Sequence, residues 1–222
     1  MFDIVRLGPG DRGLILTMQE RIYAALPEKT VFERSSGEFI EYCLDGGGLC
    51  YASLRHGVPV GYRMVYFPRG REFNLAKEVP LPSHEWDRVA HWDTTAVQPE
   101  WRGHGLGGLM NARALADLAG TGTRHVFATS SPCNPYGVKP LVTAGLRPVR
   151  LVRKFGGHLR FLLYRPFPAG WGADSPRGEE KAVALSAITE LEAAFRDGWV
   201  GAEVVIDEAG ARLRMRRAPL PF

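Results

Sequence analysis

The stretch Pro99–Leu118, PEWRGHGLGGLMNARALADL, carries four glycines within six residues between an apolar segment and an amphipathic one. Its leucines and Met110 predict a helix that ends near Gly120, so the glycines lie at a strand-to-helix turn. Gly103, Gly105 and Gly108 also satisfy G-x-G-x-x-G, the pattern of dinucleotide-binding loops. The stretch therefore raises the question of which phosphate, if any, these glycines hold.

The dinucleotide interpretation fits the surrounding sequence poorly. That motif opens a βαβ unit and is followed, about 20 residues later, by an acidic residue that holds a ribose. Here the motif lies in the middle of the chain, and residues 122–130 contain no Asp or Glu. A nucleotide-binding oxidoreductase is therefore disfavoured.

A strand, a glycine turn and a helix still form a good anion site. Glycine lets the backbone approach a ligand closely, and the first N–H groups of a helix point towards it. Arg102, directly ahead of Gly103, adds a full positive charge. The alternative is that the glycines only allow the helix to pack tightly on a sheet, and spacing alone leaves both interpretations open.

Composition bounds the class of protein. The 222 residues, 45% hydrophobic and 23% charged, suit one globular domain with an appendage. No apolar run reaches the ~18 residues of a membrane span, and the N-terminus lacks the features of a signal peptide, so we expect a cytoplasmic protein without membrane partners. The three cysteines, Cys43, Cys50 and Cys133, follow no metal spacing, and we expect no metal. The net charge of +4 is scattered, which makes nucleic acid an improbable partner.

Periodicity divides the chain into 1–168 and 169–222. The first part reads as strand, two helices, three strands, helix, strand, helix and two strands, with a long polar loop at Pro68–Asp87 that we expect to cover a binding site. Residues 169–180 are typical of a linker. A C-terminal helix and a β-hairpin follow, and they either extend the sheet or form a homodimer contact.

The segment VQPEWRGHGLG (Val97–Gly107) resembles the signature V-x-P-x-x-R-G-x-G-[IL]-G of the GNAT superfamily, the acetyl-CoA-dependent N-acyltransferases. Asn134, with Gly145 and Leu146 eleven and twelve residues later, is similar to a second feature of the family. The resemblance covers about residues 2–166. It implies an α+β fold: a central mixed, splayed sheet flanked by helices, here with a C-terminal helix and hairpin extension.

The resemblance also implies how acetyl-CoA or another acyl-CoA binds. Backbone N–H groups of the glycine loop would hold the pyrophosphate, and the pantetheine arm would pair with the end of the preceding strand in the gap beside His125–Thr129. Asn134 would reach the cofactor from the next helix. The implied cofactor-binding residues are Ala96, Val97, Gln98, Arg102, Gly103, His104, Gly105, Leu106, Gly107 and Asn134.

The catalytic residues are less clear. Many family members have a tyrosine seven residues after the asparagine as a proton donor, but this chain has Leu141 there. Asp93 is the only acid in the strand VAHWDTTAV, and His91 shares its face under strict alternation, so either is a candidate general base. The alternatives are that Asp93 pairs with an arginine or bonds the backbone at a bulge, and that His91 packs in the core.

We therefore expect an N-acyltransferase that moves an acetyl or other short acyl group from acyl-CoA to an amine of a small molecule. The missing tyrosine leaves a second hypothesis, a catalytically inactive acyl-CoA-binding module of the same fold. On the acceptor side, the sequence offers Tyr23, Phe32 and Trp86 as aromatic surface and Arg34, Arg69 and Arg71 as cations.

Overall fold

The computed structural model describes residues 1–171 and 179–221, so most of the linker expected at 169–180 lies outside the described residues. Ten strands and five helices are formed within those ranges. The strands are β1 (Asp3–Leu7), β2 (Gly48–Arg55), β3 (Val58–Tyr66), β4 (Val89–Val97), β5 (His125–Ser130), β6 (Arg147–Lys154), β7 (His158–Pro166), β8 (Glu180–Ala184), β9 (Trp199–Asp207) and β10 (Gly210–Arg217). The helices are α1 (Arg12–Ala24), α2 (Gly37–Tyr42), α3 (Leu106–Leu118), α4 (Pro135–Thr143) and α5 (Ile188–Arg196).

A seven-stranded sheet with helices on both faces forms the body of the molecule. Its strand order is β1-β2-β3-β4-β5-β7-β6, and every neighbouring pair is antiparallel except β4 and β5. The α1 and α2 helices pack on one face, against residues such as Tyr62 and Met64. The α3 and α4 helices pack on the other, against Tyr51 and Val65. The expected α+β fold with a mixed central sheet is confirmed.

The first helix buries a slightly different stripe from the one that the sequence suggests. Four-residue steps predict a stripe of Leu14, Met18, Ile22 and Leu26, and α1 does bury Met18 and Ile22, but it buries Ile15 in place of Leu14 and ends at Ala24. An α-helix has 3.6 residues per turn, so four-residue steps drift around its axis whereas steps of three and four stay on one side. The correction therefore concerns the two ends of the stripe and leaves its middle as predicted.

The β4 and β5 strands run side by side for four residues and then part. Their pairing extends from Val89↔His125 to Trp92↔Ala128 and stops there. Immediately afterwards, β4 contains a β-bulge, because its pairing with β3 jumps from Trp92↔Val65 to Thr95↔Arg63. A bulge places an extra residue in one strand and bends it away from its neighbour. The bent end of β4 opens the gap that the family resemblance implies.

The C-terminal extension does not extend this sheet. It forms a separate three-stranded sheet, β8-β10-β9, of which β8 was not expected from the sequence. The β9 strand packs against α4 and β6. Buried residues of the extension, including Leu191 and Leu213, belong to the same apolar core as Leu141 and Phe161 of the larger sheet. A homodimer contact through the extension stays a prediction.

We expect Leu213→Ala to lower the free energy of unfolding of the whole chain by about 2–5 kcal/mol, because the substitution leaves a cavity in a shared core. Leu213 is fully buried. Urea unfolding followed by tryptophan fluorescence measures the effect and should give one transition. Val58→Ala, at an exposed hairpin position, is the control and should change little. Two separate transitions, with only one of them sensitive to Leu213→Ala, would contradict a shared core.

Candidate functional site

A cleft of about 2050 Å³ lies where β4 and β5 diverge. The glycine loop and the first turns of α3 form one end, and the start of α4 forms a side wall. The chain between α1 and α2, part of the Pro68–Asp87 loop and the β6–β7 hairpin form the other end. The cleft therefore joins the predicted anion site to a second compartment on the opposite side of the sheet's opening.

The glycine loop presents a row of unused backbone N–H groups to the cleft. Gly103 and Gly105 have φ values of 81° and 73°, in the left-handed region that favours glycine. The first backbone bond that supports α3 is donated by Leu109 to Gly105 (3.1 Å). Within the described part of the chain, no acceptor is found for the N–H groups of residues 103–108. A Cβ built on Gly103, Gly105 or Gly108 would meet no protein atom within 4 Å, so a ligand has room there.

Arg102 and His104, both expected to bind the cofactor, differ in which of their groups are free to do so. The backbone N–H of Arg102 donates to the Pro99 carbonyl (3.2 Å), so the free amides begin at Gly103. The side-chain Nε of Arg102 donates to the Val97 carbonyl (3.2 Å) and connects the loop to β4. The His104 ring turns away from the cleft and packs beside Phe2 and Trp101. Only the backbone of His104 is therefore available to a ligand.

Along the exposed edge of β4, every second residue directs its backbone polar groups into the gap. The Gln98 N–H donates to Val60 (2.9 Å), and the antiparallel register then directs the backbone polar groups of Ala96 towards β3 as well. The groups of Thr95 and Val97 point the other way, into the gap. Ala96 and Val97 line the cleft, but Gln98 does not, and its side chain donates to Pro59. Of the three strand residues expected to bind the cofactor, Ala96, Val97 and Gln98, it is Val97 whose backbone N–H points into the gap and can pair with a ligand.

The α4 helix forms the side wall of the cleft through its N-cap residue, Asn134, and through Leu141. The Asn134 Oδ1 caps the helix by accepting from the Gly137 N–H (3.0 Å), and the residue also lines the cleft. Leu141 lines the cleft from within the core and offers no proton. Tyr136, the tyrosine closest in sequence to Asn134, is 75% exposed at the rim of the cleft.

Asp93 lies at the bulge of β4, at the centre of the cleft. Burial raises the pKa of its carboxyl from 3.8 to about 6, although the Thr94 hydroxyl, which donates to its Oδ2 (3.0 Å), and the Arg63 charge oppose that rise. A carboxyl with this pKa is mostly ionised at neutral pH, yet it binds a proton more readily than a surface aspartate. Asp93 therefore has the properties of a general base.

His91 is held as a neutral core residue. Its Nε2 accepts from the Leu75 N–H (3.0 Å), and its ring packs against Tyr66 and Phe73. Burial lowers the pKa of the imidazole to about 3, with Lys154 adding a smaller effect. Because its Nε2 already accepts a hydrogen bond and its pKa is low, His91 is poorly suited to act as a general base. Its surroundings favour the alternative, a histidine packed in the core. Its Nδ1 lies buried without a partner among the described residues.

A family model for the Acetyltransferase (GNAT) family matches residues 16–139, more than half of the chain. The chain belongs to the GNAT acetyltransferase family. A comparison with curated proteins gives no match.

Solved structures of GNAT proteins share the fold of this acetyltransferase-family chain. The aminoglycoside acetyltransferase AAC(6')-Ib, solved with coenzyme A and kanamycin, has 16% identity and a TM-score of 0.56, covering 76% of this chain and 96% of its own. Arabidopsis thaliana NAA60, solved with a bisubstrate analogue, has 14% identity and a TM-score of 0.57, covering 75% and 99%. A GNAT acetyltransferase of Streptococcus pneumoniae has 13% identity and a TM-score of 0.54, covering 75% and 100%.

The far end of the cleft in this GNAT chain includes residues that sequence reasoning missed. Phe155 and Arg160 of the β6–β7 hairpin line it, whereas the sequence indicated only a turn at Gly156-Gly157. Of the acceptor-side candidates, Phe32, Arg34 and Arg71 also line the cleft. The other three pack elsewhere: Tyr23 beside Lys29, Arg69 on Phe67, and Trp86 in the core with its Nε1 donating to Leu81.

Two further findings concern metal-binding groups of side chains and membrane-spanning helices in the described part of the chain. There, no three His, Cys, Asp or Glu side chains are grouped so that they could hold a metal ion. None of the helices in residues 1–171 and 179–221 is both long and apolar enough to cross a bilayer.

We expect Asp93→Asn to stabilise the GNAT chain at pH 8. The folded state raises the pKa of Asp93, so the stability that its protonated form contributes is complete below about pH 4 and is lost as the pH rises through about 6. An amide carries no charge, and the variant should be more stable by about 1–2 kcal/mol at pH 8. The full two-unit shift would give more, but the carboxyl borders an open cleft.

Unfolding by urea at pH 4 and pH 8 measures this difference, which should shrink at the lower pH. Asp87→Asn, an exposed carboxylate outside the cleft, is the matched control. An Asp93→Asn variant that is less stable than wild type at both pH values would show that the carboxylate is stabilising and contradict the expectation.

Proposed function

We propose that this chain transfers an acetyl or another short acyl group from acyl-CoA to an amine of a small molecule. The observation that carries the proposal is the arrangement of the cleft. Free amides of residues 103–108 lie at one end, and Asp93, a carboxyl with a raised pKa, lies at the centre beside the opened edge of β4.

The residues at the open end fit the phosphates of an acyl-CoA. Six successive N–H groups without acceptors among the described residues, four of them from glycines, lie at a helix N-terminus and suit a pyrophosphate. Each charge-assisted bond contributes about 1.5–3 kcal/mol, so the amides outweigh the helix dipole at ~0.3–1 kcal/mol. Arg102 adds charge from the edge of the loop. The Val97 N–H supports pairing with a pantetheine arm in the gap, and Asn134 is carried over from the resemblance.

The acyl-CoA supplies an acyl group activated as a thioester, and the chain supplies the proton acceptor and the oxyanion donor. An amine with a pKa of about 10.4 is only about one part in 10³ neutral at pH 7. Asp93 accepts the proton that the amine loses. The Thr95 N–H points into the gap and can donate to the thioester oxygen as negative charge develops there.

The acceptor end of the cleft is covered, which favours a small molecule over an extended polypeptide. Phe73 of the long loop and Phe155 of the β6–β7 hairpin approach each other with ring centroids 5.9 Å apart. Arg160 of β7 donates from Nη2 to the Thr30 carbonyl (2.7 Å) and ties the hairpin strand to the chain between α1 and α2. These contacts join the three segments around the acceptor end. The long loop thus contributes to the cover, as its length suggested.

A second candidate function is binding of acyl-CoA without catalysis. The observation that favours it is Leu141, which stands on the cleft wall without a proton to donate. The two functions differ in turnover, since both include binding of the cofactor. An assay of CoA release with pooled amines distinguishes them.

We expect Gly108→Glu to abolish binding of coenzyme A. Gly108 lies in the first turn of α3 on the cleft wall, and a Cβ there meets no protein atom within 4 Å, so the variant should fold. Its carboxylate would repel the phosphates. At ~100 times its Kd, coenzyme A should stabilise the wild type by about 2.7 kcal/mol, measured as a thermal shift, and the variant not at all.

Gly13→Glu is the matched control for this binding experiment. Gly13 lies in α1, outside the cleft, and a Cβ there also meets nothing within 4 Å. The control should keep the full shift. Equal stabilisation of all three proteins by coenzyme A would remove the glycine loop from the proposal.

We expect Asp93→Asn to lower kcat by about 10²–10⁴, because the amine loses its proton acceptor. The wild-type rate should fall as the pH drops through about 6, where Asp93 becomes protonated. Thr94→Val removes the hydroxyl bond that lowers the Asp93 pKa, so its acidic limb should move to higher pH. CoA release against pH measures both effects. A wild type that binds coenzyme A but turns over no amine would support the binding module instead.

A further inference from the structure

Arg63 of β3 is a fully buried cation next to the cleft, and the proton transfer described above does not use it. Its Nη1 donates to the Thr95 hydroxyl and to the Asn111 Oδ1 (2.6 Å), and its guanidinium lies 4.0 Å from the ring centre of Trp92. The Nε and Nη2 atoms have no partner among the described residues, and no carboxylate there forms a salt bridge with Arg63. A buried charge without a counter-ion is costly, so this one calls for an explanation.

The charge of Arg63 has no carboxylate in contact with it among the described residues. The ionisable groups that act on its charge are Asp93 on β4 and Tyr51 on β2, whose hydroxyl donates to Asp117 of α3 (2.9 Å). Asp117 in turn pairs with Arg113. Burial lowers the pKa of Arg63 to about 9, which still leaves the side chain protonated at neutral pH. The site therefore keeps a cation beneath the gap between β4 and β5, and the Asp93 carboxylate balances it only without direct contact.

The partners of Arg63 bring that charge to the cleft surface. Thr95, Asn111 and Trp92 all line the cleft, at the level where β4 and β5 have just parted. The Thr95 hydroxyl accepts from Arg63, and no acceptor for its own proton is found in the part of the chain that the structure describes. Asn111 is fixed from the far side by donating to the Pro140 carbonyl (3.3 Å) of α4. The hydroxyl is thus held in place and polarised by a cation behind it.

We propose that Thr95, held and polarised by Arg63, donates a hydrogen bond to the sulfur of the acyl-CoA as the thiolate leaves. In this step the amine nitrogen bonds to the acyl carbon, and the amine proton goes to Asp93. The carbon–sulfur bond breaks and its electron pair goes to the sulfur, while Thr95 keeps its proton. Thr95 is then a catalytic residue, and Arg63 is a positioning residue that acts through it. The inference rests on the proposed function.

This assignment accounts for two observations together. Leu141 supplies no proton donor for the leaving group, and within residues 1–171 and 179–221 no carboxylate forms a salt bridge with Arg63. A thiolate formed next to Thr95 is an anion that appears only as the reaction proceeds. Hydrogen bonds that strengthen with the developing charge favour the transition state over the bound substrate.

The pKa of the thiol of bound coenzyme A tests the proposal directly. The ultraviolet absorbance of the thiolate, followed against pH in the binary complex, should give a pKa in the wild type at least one unit below that of free coenzyme A measured in the same way. Thr95→Val keeps the shape of the side chain and should return the thiol pKa towards the value of free coenzyme A, while Thr95→Ser should keep the low value. Arg63→Lys retains the charge on a shorter side chain, which draws the donor back from Thr95 and Asn111, and it should give an intermediate value.

The kinetic counterpart is a fall in kcat of about 10- to 100-fold for Thr95→Val, with the KM for acyl-CoA nearly unchanged. Thr94→Val is the matched control, a neighbouring threonine whose hydroxyl serves Asp93 instead. It should shift the acidic limb of the pH profile without moving the thiol pKa.

The outcomes separate this inference from the function on which it rests. Failure of coenzyme A to stabilise the wild type in a thermal shift overturns both. Normal binding with the same thiol pKa in the wild type and Thr95→Val overturns the inference alone and leaves the acyltransferase proposal standing.

Discussion

The separation of β4 from β5 is the constraint on which the site depends. The two strands pair for four residues, and the bulge at Asp93 and Thr94 then turns β4 away before its backbone groups can bond to β5. Buried backbone groups that lose one partner require another. The open edge thus offers the backbone groups of Thr95 and the N–H of Val97 to a ligand, at the cost of sheet pairing, while the Val97 carbonyl accepts from Arg102. The same bend places a carboxyl at the centre of the cleft.

Two opposite charges flank the opened edge, and the sheet keeps them apart. Asp93 belongs to the surroundings of Cys43, Cys50 and Tyr62 under α1 and α2, whereas Arg63 faces α3 through Asn111. If they formed a tight ion pair, the carboxyl would be a weaker base and the cation would be neutralised. Their separation across the strand leaves each available for a different role in the proposed reaction.

The sequence was most informative where the structure depends on residues that are close together along the chain. The glycine turn, the helix after it and the order of elements through β7 follow from local patterns such as Gly105 and the α3 leucines. A β-bulge entered the sequence analysis only as one alternative for Asp93, because two residues opposing Met64 leave no mark in the sequence of β4 alone. The roles of His91 and Gln98 depended on partners far along the chain, Leu75 and Val60, and no spacing rule reveals such contacts. Arg63 escaped notice because a single arginine in a strand usually points to solvent.

The C-terminal sheet has a consequence for how this protein can be divided. The family model stops at residue 139, inside α4, and the similar structures cover about three quarters of the chain. The apolar core continues past both limits, through Leu191 and Leu213. A shortened protein cut at a boundary drawn from similarity would expose that apolar face to water, and exposed faces of this kind promote aggregation. For expression and crystallisation, the folded unit therefore includes the C-terminal sheet as well as the part that matches the family.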